Sequence, residues 1–244
     1  MRIPLSGSDL VGQFVEQVVC SLLREFNEAS EVSFFIPPVV PPIQERVRSD
    51  GHAGGIIDEA LKIRQELGLP FWDAANLACF GRGEKAAVLL SQALFHNGSS
   101  VRRLRLPVAQ VTVDAISRLA AEEEGKSILV WSSRVETCSG KSMHVPMLDF
   151  HCPESPQNLD LVKAALRLLD IGVGYIIASG KSYHFYGRNL VNDEQRVQFL
   201  ARALLLSPIV DRTWIAHQLI EGACGLRVSA RSKAGSRPQV IALA

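Results

Sequence analysis

Three short stretches in the second half of the chain carry side chains that could do phosphoryl chemistry together. The first, VPMLDFHC, ends in Asp149 and His151. Residues two apart on a strand share a face, so these two side chains point the same way. The second, GKSYHFYG, puts Ser182 and His184 on one face by the same rule. The third, LSPIVDRTW, sets Asp211 after an apolar pair and just before a helical pattern. Strands that pack side by side would gather these groups on one sheet surface. Carboxylates held together there grip a magnesium or manganese ion, which in turn holds a triphosphate.

Each of these residues also has a structural alternative. Asp149 at a strand end suits the cap of a following turn or helix, and Asp211 ahead of RTWIAHQL suits a helix N-cap. His184, among Tyr183, Phe185 and Tyr186, suits a packed core histidine, and His217 is read as packing within its helix. Cys152 beside His151 would face the other side of a strand, which argues against a nucleophile pair. Glu154 has the wrong parity and follows Pro153, so only a turn could bring it to the site. Arg227, Arg231, Lys233 and Arg237 fall in the last segment, CGLRVSARSKAGSRPQVIAL, which is expected to form a basic hairpin. They would either guard a solvated sheet edge or contact phosphate, and Arg227 and Arg231 are nucleotide-binding candidates. SGKSMHV at 139–145 and SGKSYHF at 179–185 echo each other. Neither has the spacing of a P-loop, and both read as a turn followed by a strand.

The elements that must position these groups follow from periodicity. Leu10, Val11, Phe14, Val15, Val18, Val19, Leu22, Leu23 and Phe26 recur at helical spacing, with Ser8 or Asp9 as the cap. That stripe is wide enough to be buried on two sides or to face a partner chain. VSFFIPPVVPPI predicts a short strand running into a stiff proline-rich connector. Residues 53–68 and 84–96 predict helices on either side of PFWDAANLACFGRG. From Val101 the pattern predicts strand VRRLRLPV, helix VTVDAISRLAAEEEG, strands SILVWSS and HVPMLDF, and helix NLDLVKAALRLLD. Strands GYIIAS and SYHFYG and helices VQFLARALLL and RTWIAHQLI follow. This order argues an α/β (α+β) fold with helices layered on an antiparallel sheet, and a boundary near residue 98 at the NGSS turn.

Composition narrows the function classes. Of 244 residues, 47% are apolar and 21% charged, the balance of an ordinary globular chain of one large or two small domains. Lys and Arg (26) nearly cancel Asp and Glu (25), leaving +1. That excludes a polycation that binds nucleic acid through surplus charge alone, while allowing a local basic groove. Five scattered cysteines without a CxxC pair exclude a zinc ribbon and argue against a disulfide framework. No apolar run approaches the roughly 18 residues of a membrane span, and MRIPLSGSDLVGQF lacks the features of a signal peptide. The expectation is a reduced, cytoplasmic protein with no membrane partner.

The series apolar-Asp-x-acid, then Ser-x-His, then apolar-Asp resembles the signature of the archaeo-eukaryotic primase superfamily. Over residues 101–244 the chain resembles a short, divergent bacterial member. The resemblance implies a primase-like module at 99–244, with a mixed or antiparallel RRM-like sheet flanked by helices. The mostly helical region 1–98 has no assigned role. The resemblance also implies metal-dependent nucleotidyl transfer on a nucleoside triphosphate, of the primase or polymerase kind, with DNA or RNA as partner. Asp149 and Asp211 would be the catalytic metal ligands, and Ser182 and His184 would lie in the nucleotide site. His151 stands in the metal set where the family pattern has Asp or Glu. A divalent cation, Mn²⁺ or Mg²⁺, is the implied cofactor, and a nitrogen ligand at His151 suits manganese, iron or zinc better than magnesium. One alternative is a catalytically degenerate, primase-like subunit that binds nucleotide or nucleic acid within a multi-protein mobile-element or antiphage defence system. Its N-terminal helices would then dock a protein partner. A further alternative takes Asp149, His151, His184 and Asp211 as a zinc, iron or manganese hydrolase site.

Overall fold

Helix α1 (Val15–Glu25) follows from its apolar stripe: Val15, Val18, Val19, Leu22 and Leu23 are all buried. It starts later than the stripe does. Phe14 holds the cap position without a side-chain bond, and Ser8 and Asp9, the expected caps, lie outside the described residues. The computed structural model describes residues 10–39, 41, 43–47, 51–94, 101–123, 127–230 and 236–244. Contacts divide the chain into two units, residues 1–38 with 100–244, and residues 39–99.

The larger unit is built on two antiparallel sheets. In the first, β2 (Arg102–Pro107), β1 (Ala29–Ile36), β3 (Val130–Thr137) and β4 (Ser142–His144) lie in that order, and β8 (Gly225–Arg227) also pairs with β3. In the second, the order is β5 (Met147–Asp149), β7 (Tyr183–Gly187), β6 (Gly174–Ala178) and β9 (Gln239–Leu243). The sheets meet where Trp131 of β3 stacks on Tyr186 of β7, with ring centroids 5.5 Å apart and both side chains buried. Residues 10–38 belong to this unit for a physical reason. Strand β1 is the central partner of β2 and β3, and the chain before α1 runs beside β9, with Gly12 N donating to Val240 O and Val15 N to Pro238 O. Buried Glu16 of α1 also pairs with Arg237, whose guanidinium lies over the Phe14 ring.

The helices of this unit are set by their caps. Thr112 caps α6 (Val113–Glu122), Ser155 caps α7 (Pro156–Leu169) and Asn192 caps α8 (Asp193–Leu204) through a capping box. Asp211 caps α9 (Arg212–Glu221). Asp149 caps none of them.

The expected basic hairpin does not form. Strand β8 pairs with β3 in one sheet and β9 with β6 in the other, so the two arms separate. Alternation and turn residues mark both arms as strands, but they do not say which strand each will pair with. Of the four basic residues, Arg227 sits on β8 and Arg237 reaches Glu16, while Arg231 and Lys233 lie outside the described residues.

In the smaller unit, α2 (Ile43–Arg46), α3 (Gly51–Leu67), α4 (Phe71–Ala78) and α5 (Ala87–Ala93) surround a core of Val47, Ile56, Ile57, Ala60, Ala75, Ala78 and Leu89. Half of the segment expected to separate two helices is itself helix α4. Pro70 supplies the extended residue ahead of it, and Ala74, Ala75 and Ala78 bury its inner face.

A buried polar clamp ties the larger unit together. The Ser133 hydroxyl accepts from Cys224 N (2.9 Å) and lies 3.0 Å from His144 Nδ1, while His144 Nε2 lies 3.1 Å from Asp193 Oδ1. Arg196, itself buried, pairs with the same carboxylate. Burial, reinforced by the Arg196 charge, holds the His144 imidazole down to about 4. Ser133 and His144 have no exposed surface, so this Ser–His–Asp chain braces strands and helix instead of meeting a substrate.

Candidate functional site

The three motif pieces are brought together by strand pairing. Asp149 ends β5 directly across from His184 on β7, and His184 Nε2 stands 3.6 Å from Asp149 Oδ1. On the other side of β5, Phe150 bridges Val210, with His151 N donating to Ile209 O (2.7 Å) and Asp211 N to Asp149 O (3.0 Å). That pairing sets Asp211 opposite Asp149, so His184, Asp149 and Asp211 form one row across three segments. Opposite residues of an antiparallel pair share a face. His151, two residues along, shares it too. Asp211 Oδ1 accepts from Trp214 N at 2.9 Å, which holds its carboxylate at the start of α9.

The row opens on a cavity of about 670 Å³, within the range of small-ligand sites. Asp149, His151, Ser182, His184, Asp211 and Arg227 all line it. Sequence reasoning thus named six of its wall residues. It did not single out Ser179, Gly180, Lys181, Trp214 or Ser236, which line it as well. Trp214 is fixed by donating from its indole N–H to Gly225 O (3.1 Å). The signal for Ser179, Gly180 and Lys181 was the SGKS echo, read above as a turn followed by a strand, and Ser236 carried no signal of its own.

That turn forms part of the cavity wall. It joins β6 to β7, with Ser179 N donating to Ser182 O (2.9 Å) and the two serine hydroxyls 3.4 Å apart. Gly180 sits at φ +90, where a Cβ would be strained and would collide with the Ser236 hydroxyl. Arg227 braces the turn from β8: its guanidinium donates to Ser179 O and to Ser229 O, the latter at 2.8 Å. The cavity wall therefore carries two acids, Asp149 and Asp211, and two cations, Arg227 and Lys181. Cys152 does not add a nucleophile, because burial pushes its thiol up, away from the reactive thiolate.

A profile of the archaeo-eukaryotic primase 1D-like family matches residues 107–238, more than half of the chain and every residue of the cavity wall. The protein belongs to the archaeo-eukaryotic primase-like family. No curated protein and no solved structure matches it. Within this primase-like unit, no three His, Cys, Asp or Glu side chains among the described residues form a group able to hold a metal ion on their own. The donor set still suits a cation of the kind primases use. Magnesium is held by one or two carboxylates together with water and substrate phosphates, seldom by a cage made wholly of protein. Two carboxylates on adjoining segments repel each other, and a cation between them relieves that repulsion. Among the described residues, no helix is long and apolar enough to cross a membrane.

Proposed function

We propose that this primase-like protein binds a nucleoside triphosphate in the cavity and transfers its nucleotidyl group to a nucleic-acid 3′-hydroxyl. The observation that carries the proposal is that the row His184–Asp149–Asp211, Arg227 and the 179–182 turn line one cavity. Asp149 and Asp211, with His151 beside them, would hold a divalent cation. That cation would neutralise phosphate charge and polarise the α-phosphorus. Arg227 and Lys181 complement the triphosphate charge, and the Ser182 hydroxyl and His184 ring offer hydrogen bonds to its oxygens. In the transfer, the 3′-oxygen forms a bond to the α-phosphorus, the bond to the bridging oxygen breaks, pyrophosphate leaves, and the hydroxyl proton passes to solvent.

A second reading keeps nucleotide binding without turnover, as a subunit of a larger assembly. It is favoured by His151 in the place of an acid and by the exposed apolar side chains Leu67, Phe80 and Leu94 of the smaller unit. Calorimetric titration of a nucleoside triphosphate with manganese and then magnesium tests both, with Asp149→Ala as control. Metal-dependent binding lost in the variant, followed by primer extension, supports transfer. Binding without extension supports the second reading, and no binding with either ion overturns both.

A further inference from the structure

The rim of the cavity holds a charged group that the transfer chemistry does not use. Glu154 lies in the loop between β5 and α7, five residues past Asp149, and its side chain is exposed. Its carboxylate nonetheless reaches the cavity wall, where Oε1 accepts from Gly180 N at 2.6 Å. The backbone on either side is pinned. Ser155 N donates to the Tyr183 hydroxyl (2.7 Å), that hydroxyl donates to Ser155 O (2.8 Å), and Pro153 O accepts from the Asn158 side chain (2.8 Å). Only the Glu154 side chain is left to move, and an exposed glutamate changes rotamer within nanoseconds.

The place it occupies has the character of a phosphate site. A backbone N–H on a glycine in the left-handed region points at it, and Lys181 is the next residue. The Arg227 guanidinium lies 3.8 Å from where a Gly180 Cβ would stand. A carboxylate oxygen and a phosphate oxygen make the same demand on such donors.

We propose that Glu154 is an internal stand-in for phosphate: it holds the Gly180 N–H and yields it to the pyrophosphate end of the bound nucleotide. This rests on the triphosphate reading above. It makes Glu154 a competitor of substrate, so that polyphosphates bind only by displacing it.

The experiment titrates inorganic pyrophosphate into the full chain, as the wild type, Glu154→Gln and Glu154→Ala. The glutamine keeps an acceptor for Gly180 N but removes the charge. If Glu154 competes, both variants bind pyrophosphate more tightly, by about fivefold, the effect of one like charge at a solvent-open site. Equal or weaker binding in Glu154→Gln overturns the proposal and makes Glu154 an anchor of the turn. Absence of pyrophosphate binding in all three proteins overturns it as well. Asp149→Ala with the triphosphate separates the two ideas. Tightening by Glu154→Gln with no effect of Asp149→Ala keeps the stand-in and removes the acidic-row reading, and the reverse pattern removes only the stand-in.

Discussion

The clamp at His144 makes the stability of this protein depend on pH in a way that can be calculated in advance. His144 is fully buried, and burial together with Arg196 and Arg134 lowers its pKa from the ordinary 6.5 to about 4, while Asp193 opposes them. Above about pH 6.5 the imidazole is neutral both folded and unfolded, so it adds no pH dependence. Below that the unfolded chain takes up a proton that the folded chain refuses. Stability therefore falls with pH until about pH 4, below which both forms are protonated. The full difference corresponds to about 3 kcal/mol, and roughly 2 kcal/mol of it is lost between pH 8 and pH 5. Urea unfolding at pH 8, 6.5 and 5 measures this, comparing wild type with His144→Asn. The variant loses stability at every pH through its altered contacts with Ser133 and Asp193, but its decline toward pH 5 should be shallower by about 2 kcal/mol. Parallel declines in the two proteins would refute the reasoning. They would mean that His144 is protonated in the fold and ion-paired to Asp193.

Other outcomes test the site and its walls. Asp211→Ser keeps an acceptor for Trp214 N and should hold stability within about 0.5 kcal/mol, whereas Asp211→Ala should lose about 1 kcal/mol. Both should lose metal-dependent triphosphate binding, which separates the cap from the ligand by denaturation and calorimetry. Gly225→Ala drives a Cβ into the Phe35 ring and to 3.0 Å from Val130 Cγ1. It should lower the denaturation midpoint by the equivalent of about 1–3 kcal/mol, and an unchanged midpoint would mean that β8 can shift away from β1. Asp149→Asn should, like Asp211→Ser, hold stability in chelator within about 0.5 kcal/mol. Manganese should raise the melting temperature of the wild type alone.

What the sequence revealed about the site was what local rules govern. Strand parity put Asp149 with His151 and Ser182 with His184 before any pairing was known, because the alternation of side chains needs no partner. The apolar pair before Asp211 and the helical pattern after it marked the N-cap for the same reason. Register was out of reach. That Asp149 lies across from His184 and Asp211 across from Asp149 depends on which segments pair, and the three segments are separated by long stretches of chain. The last segment failed on the same ground, since β8 finds its partner in β3 about ninety residues earlier. Glu154 shows the limit of the parity rule itself. The rule excludes it only while the strand continues, and β5 ends at Asp149.

The arrangement around Asp149 and Asp211 bears directly on whether a nucleotide bound in the cavity would be turned over. Two acids facing each other at a cavity wall cost stability unless something offsets their charge. Here the fold supplies part of that offset: His184 stands beside Asp149, and the first turn of α9 donates to Asp211. The His184 contact is long at 3.6 Å, and the α9 bond engages one oxygen of a group that can accept several. Asp211 thus keeps acceptor capacity, and both acids line the cavity where a triphosphate would bring its own charge and its own cation. A fold that had only to bind nucleotide passively would gain by replacing one of them with a neutral residue. The loss of an acid at His151 reduces the ligand set without relieving the repulsion, since Asp149 and Asp211 remain opposed. That opposition is what a site built to share a cation with its substrate requires, and it is the reason that the transfer reading is preferred to simple binding.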